Sequence, residues 1–150
     1  MQNIKKEIHN HLIKDLELKI DTLQKSIKDT VDARNNDTKS SAGDKYETGR
    51  EMLQIEIQKN EIQLSKTLKT LQELSKINLL KTNDTVEYGS LVITNNGNYF
   101  IAIAYGKIEI ENNIFYSISL ASPIGKLLLN KKIKEHFTFQ EKEYTILDIV

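Results

Sequence analysis

The sequence predicts an α+β protein: an N-terminal antiparallel α-helical coiled-coil hairpin over residues 1–80, then a small antiparallel β domain with one short helix over 81–150. Three observations predict it. The first half repeats its apolar residues at alternating spacings of three and four and has no proline. The second half switches to short apolar runs between turn residues. It holds four of the six glycines, the only proline, all four Phe and five of the six Tyr. Between two seams of matched length lies a polar break.

The first seam is Ile13, Leu16, Ile20, Leu23 and Ile27, extended by Ile8, Leu12 and Val31. A 3/4 alternation is the mark of helices packed along a seam. Lys14, Asp15, Glu17, Lys19, Asp21, Lys25 and Lys28 fall on the other faces, as on a solvated helix. The second seam is Leu53, Ile57, Asn60, Leu64, Thr67, Leu71 and Leu74. Asn60 and Thr67 are polar at seam positions, which costs stability and specifies register. Met52, Ile55, Ile62 and Leu68 are expected to widen the apolar stripe. The break, Arg34 to Asp44, is dense in Asn, Asp, Ser and Gly. A short break between long helices favours antiparallel neighbours, with a tip near residues 35–47. A parallel dimer, each helix pairing with a second chain, is the other solution. Because the tip lies midway between matched seams, the hairpin is preferred and a monomer is expected. About 30 residues per seam make a rod of roughly 45 Å.

After Asn83-Asp84 the period becomes that of strands. Tyr88–Thr94, Tyr99–Tyr105, Lys107–Glu111, Ile114–Leu120, His136–Phe139 and Glu143–Val150 read as strands. Asn96-Gly97 is hairpin-turn chemistry, because both residues tolerate positive φ. Ser122-Pro123 reads as an N-cap followed by proline at the first helical position.

Composition excludes several functions. There are 21 basic and 21 acidic residues, so no net charge drives binding to nucleic acid or membrane. The halves are also balanced, 14 basic against 13 acidic in 1–80 and 7 against 8 in 81–150. No cysteine is present, which removes disulfide, thiolate and Cys-ligated metal chemistry. His9, His11 and His136 are too scattered for a His-only metal site, and His9 and His11 are expected at the surface. No apolar run approaches the ~18 residues of a membrane span, and the N-terminus lacks a signal-peptide pattern. A soluble, cytoplasmic protein with no membrane partner is expected. No GxSxG, P-loop, HExxH or Gly-rich dinucleotide turn is present.

The tip holds the candidate chemistry. Asp44 and Glu47 are three apart at the start of the second helix, and Asp37 lies on the incoming side. These three are candidate ligands for a Mg²⁺ that already has other ligands, with Asp44 and Glu47 as the catalytic pair. The same Asp-x-x-Glu spacing is also a capping pattern favoured by the helix dipole. The two roles are compatible. Lys39, Ser40 and Ser41 offer backbone N–H groups to an anion. Lys45, Tyr46 and Arg50 complete the candidate tip contacts, Tyr46 either docking on a partner or packing across the hairpin end.

Two stretches carry a family resemblance. Ala121-Ser122-Pro123-Ile124-Gly125-Lys126-Leu127-Leu128-Leu129, continuing to Lys132-Ile133, resembles the C-terminal signature of the bacterial Gre transcript-cleavage factors. Phe137-Thr138-Phe139 with Glu143–Ile149 is similar to that family's closing strand pair. The resemblance implies an FKBP-like C-terminal domain and a coiled coil that enters the secondary channel of RNA polymerase. The tip acids would then help hold the second Mg²⁺ of the polymerase active site, so that backtracked RNA is cleaved near its 3′ end. Ser122, Pro123, Gly125 and Lys126 would dock on the polymerase. No stand-alone activity is implied.

The tip departs from the family pattern, an Asp-x-x-Glu followed by Asn-Ala-Glu-Tyr and later Arg-Glu. With Tyr46 and Arg50-Glu51 aligned to it, the acidic positions fall on Lys39 and Ala42. With the acids aligned instead, Asp44 and Glu47 sit about one helical turn late, a shift of ~5 Å. A non-cleaving regulator competing for the same channel is therefore the second reading. A prolyl isomerase lacks a Trp for its pocket floor. A coiled-coil scaffold would bind no polymerase.

Overall fold

The structure, a computed structural model, describes residues 1–36 and 43–150, and the side chains of all of these except 43–46. Helix α1 spans Gln2–Asn36 and helix α2 spans Gly43–Ser75. Strands β1 (Leu91–Thr94), β2 (Gly97–Ile101), β3 (Gly106–Ile110) and β4 (Asn113–Ile118) follow. Helix α3 (Pro123–Leu128) precedes β5 (His136–Phe139) and β6 (Lys142–Ile149). The chain divides into two compact units. One is Lys14–Gln72; the other joins Met1–Ile13 to Glu73–Val150.

In the helical unit, Leu16, Ile20 and Thr30 of α1 and Ile57 and Thr67 of α2 are buried. The polar seam residues satisfy themselves. Thr30 and Thr67 donate to the carbonyls of Ser26 and Gln63, four residues back, each at 2.8 Å. Asn60 Nδ2 reaches Ser26 Oγ across the hairpin at 3.4 Å. The expected widening of the stripe does not occur. Met52, Ile55, Ile62 and Leu68 are 66%, 64%, 59% and 44% exposed. The reason is geometric: two helices bury only one narrow seam each, and residues off that line have nothing to pack against.

The sheet has six strands in the order β3-β4-β2-β1-β6-β5. Every pairing is antiparallel except β2 with β4, which is parallel. The sheet is antiparallel as expected apart from this one ladder: β4 lies between β3 and β2, so the chain crosses over instead of meandering. Tyr99 pairs with Tyr116 there and stacks on it at 5.9 Å. Both faces of β2 are buried at Tyr99, Phe100 and Ile101, which accounts for its unbroken apolar run. On one face Val92, Tyr99, Ile101, Phe137, Tyr144, Ile146 and Ile149 cluster with Ile124 and Leu128 of α3. On the other, Leu91, Phe100, Ile108 and Phe115 are buried.

The turns use positive φ. Gly97, the first residue of β2, sits at φ +130° where the chain turns back from β1. Glu111-Asn112 and Gln140-Glu141 occupy the left-handed region in the β3–β4 and β5–β6 hairpins without any glycine.

The start of α1 belongs to the sheet's unit. Ile8 and Leu12 are fully buried. Lys5 is 1% exposed, and its ammonium donates to the carbonyls of Val150 (3.1 Å) and Lys81 (3.3 Å). Burial lowers the Lys5 pKa, and Glu87 opposes that shift. His9, expected at the surface, is buried, with Nε2 2.7 Å from the Leu74 carbonyl and Nδ1 without a hydrogen-bond partner. His11 is exposed and meets the Tyr105 hydroxyl at 3.3 Å.

Candidate functional site

The candidate site is where α1 ends and α2 begins. Arg34 is in the last turn of α1, a favourable place for a cation beside the final carbonyls. Asp44, Lys45, Tyr46 and Glu47 fall in the first turns of α2. Glu47 is exposed. Asp37, Lys39, Ser40 and Ser41 lie outside the described residues, as do the side chains of Asp44, Lys45 and Tyr46.

Arg34, Glu47, Arg50, Glu51 and Gln54 line a cleft between the two helices. Arg34 Nη1 donates to Gln54 Oε1 at 2.6 Å, linking α1 to α2. Arg34 Nη2 is 3.5 Å from Asn35 Oδ1, and Nε is buried without a hydrogen-bond partner. Arg50 was a candidate from sequence; Arg34, Glu51 and Gln54 were not. A signal existed, since Arg34 and Arg50 are the only arginines in a chain otherwise rich in lysine. A planar guanidinium holds a carboxamide or carboxylate in fixed geometry, which a lysine does not.

Among the described residues no group of three or more His, Asp or Glu is placed to hold a metal ion. Carboxylates of the Asp44 and Glu47 type suit a different task. Hard oxygen donors in ones and twos fit a Mg²⁺ whose other ligands come from elsewhere.

The second candidate region is the start of α3. Ser122 is its N-cap, with Oγ accepting from the Gly125 N–H at 3.1 Å and donating to the Ser119 carbonyl at 2.7 Å. Gly125 is buried against the same Ser119 oxygen, and a Cβ there would collide with it. The Ser-Pro-x-Gly pattern therefore folds the turn that enters α3. Pro123 and Lys126 face solvent, whereas Ser122 is half-buried and Gly125 is enclosed.

No protein-family model matches the sequence, and no curated protein matches it. A solved structure described as "Structure of the transcription factor Gfh1" aligns with 94% of this chain and 92% of its own, at 20% identity and a TM-score of 0.35. At that TM-score the superposition says nothing about activity. No helix among the described residues is long and apolar enough to cross a membrane.

Proposed function

We propose that this chain is a transcription elongation factor of Gre type that binds RNA polymerase through the secondary channel and promotes cleavage of backtracked RNA. One observation carries the reading. A hairpin of two helices, of 35 and 33 residues, with Asp44 and Glu47 in the first turns of its second helix, precedes in sequence a sheet domain whose Gre-like Ser122–Lys126 signature forms the capped helix α3. A hairpin of this kind is suited to delivering its end into a narrow opening.

In this reading Pro123 and Lys126 meet the polymerase surface, and Ser122 and Gly125 hold the turn that presents them. Asp44 and Glu47, and Asp37 as a third candidate, would add carboxylate oxygens to the second Mg²⁺ of the polymerase. Such a metal, when bound, would supply Lewis-acid activation of a water for phosphodiester hydrolysis, and these carboxylates would help hold it. Arg34 braces the hairpin end through Gln54. Placement dominates such catalysis, so the brace supports the rate indirectly.

A second reading is favoured by Lys39 and Ala42, which occupy the family's acidic positions when Tyr46 and Arg50-Glu51 are aligned. Here the protein fills the channel and regulates without cleaving.

A stalled, backtracked elongation complex with labelled RNA separates the two. Added protein with Mg²⁺ is expected to shorten the RNA, and the Asp44→Ala, Glu47→Ala pair to slow this by roughly 100-fold. Binding without shortening supports the regulator. No binding removes both.

A further inference from the structure

We propose that Asn96 is a site of spontaneous covalent modification, losing its side-chain amide through a cyclic imide, and that this change unlatches the β1–β2 turn from β6. The chemistry needs neither polymerase nor metal.

Of the asparagines in the chain, only Asn96 is followed by glycine. Every other one is followed by a residue whose Cβ crowds the next backbone nitrogen. In this reaction that nitrogen is the nucleophile. The Gly97 nitrogen gives up its proton and bonds to Asn96 Cγ. The Cγ–Nδ2 bond breaks, and ammonia leaves with the proton. The five-membered imide then takes up water at one of its two carbonyls. One opening leaves aspartate at position 96. The other leaves isoaspartate, with the main chain running through the side-chain carbon.

The fold keeps this pair reactive and exposed. Asn95 and Asn96 form the turn between β1 and β2, and both are exposed. Gly97 follows at φ +130°, where a side chain would be strained and would also press on the Tyr99 hydroxyl. The turn therefore requires the one residue that leaves the attacking nitrogen open.

The amide that leaves also holds structure together. The β1–β6 ladder ends at Thr94 opposite Ile146. Beyond it, side chains carry the contact. Asn95 Oδ1 accepts from the Thr145 N–H at 2.7 Å. Asn96 Nδ2 donates to the Glu143 carbonyl at 2.7 Å, and Asn95 Nδ2 reaches the same oxygen at 3.3 Å. Once Asn96 has lost Nδ2, a carboxylate oxygen faces that carbonyl, two acceptors with no proton between them. Isoaspartate also lengthens the backbone of a turn whose length fixes the strand register. The same latch sets the pace. Cγ must swing toward the Gly97 nitrogen, so the reaction waits for one exposed hydrogen bond to open. The folded chain should therefore react more slowly than a free peptide of the same sequence, yet at Asn96 before any other asparagine.

Incubation of the full chain in warm, mildly alkaline buffer tests it, with peptide mapping by mass spectrometry and separation of the isoaspartate form. A synthetic peptide spanning Val92–Phe100 is incubated alongside. The expected result is a gain of about 1 Da on the fragment carrying Asn96, ahead of every other asparagine and several-fold slower than in the peptide. The latch is read separately, without waiting for the reaction. Asn96→Asp should lower the urea midpoint with an unchanged slope. Asn95→Asp should lower it less, because its Oδ1 still accepts from Thr145. An Asn96 that keeps its amide while the peptide converts overturns the proposal, as does earlier reaction at another asparagine. An Asn96→Asp midpoint equal to that of the unaltered chain overturns the latch.

Discussion

Gly125 shows how much one residue can decide. Its missing side chain lets the turn into α3 close on the Ser119 carbonyl. Gly125→Ala is expected to cost about 2–3 kcal/mol in urea denaturation, because a rigid backbone atom must move. Tyr99 carries a different signature. Its phenol pKa is raised above the ordinary 10.0, first by burial and then by its neighbour Tyr144. The folded state keeps a proton that the unfolded chain releases. That contribution is complete below pH 10.0 and is lost as pH climbs through the raised folded value. Stability should therefore fall above pH 10, and Tyr99→Phe should flatten the fall in urea midpoints measured from pH 8 to 11. Lys5 was indistinguishable in sequence from any surface lysine of α1. Only its carbonyl partners, supplied by distant stretches of chain, reveal it as an anchor.

Among the elements, the β5–β6 hairpin turns through two non-glycine residues at positive φ, Gln140 and Glu141. Replacing them by Asn-Gly should stabilise the protein by about 0.5–1 kcal/mol, read as a shifted thermal midpoint. The strands themselves were largely legible, since apolar runs bounded by turn residues follow from backbone chemistry. Their ends were not. Tyr88–Ser90 lie outside β1, and Tyr105 lies outside β2, because pairing partners rather than propensity end a ladder. The parallel β2–β4 ladder was equally hidden, since turn chemistry reports only which strands are joined by hairpins. In the helices, the seam was readable from its spacing. The exposure of Ile55 and Ile62 was not, because an apolar residue beside a seam looks the same whether or not a third surface covers it.

At the scale of the whole molecule, the two compact units differ in their cores. Lys14–Gln72 relies on a two-helix seam with two buried threonines, whereas the other unit holds Phe100, Phe115, Leu91 and Ile101 almost fully enclosed. Native-state hydrogen exchange should therefore find amides of the helical unit opening at a lower free energy than those of β1, β2 and β6. Equal opening energies would mean one cooperative body. Of the candidate site, the acidic start of α2 was legible because Asp44 and Glu47 are local in sequence. The Arg34–Gln54 brace was not, because its partners are twenty residues apart and meet only when the hairpin closes.

By itself, the sequence determined what depends on near neighbours: two helices and their seam, the turn residues, and the Ser122-Pro123 cap. These follow from periodicity and local hydrogen bonding, which act within a few residues. The tertiary structure alone decided which strands lie side by side, which lysine and histidine are enclosed, and which isoleucines stay in water. Each of those depends on what a distant segment brings to the same place, and a one-dimensional pattern does not encode that.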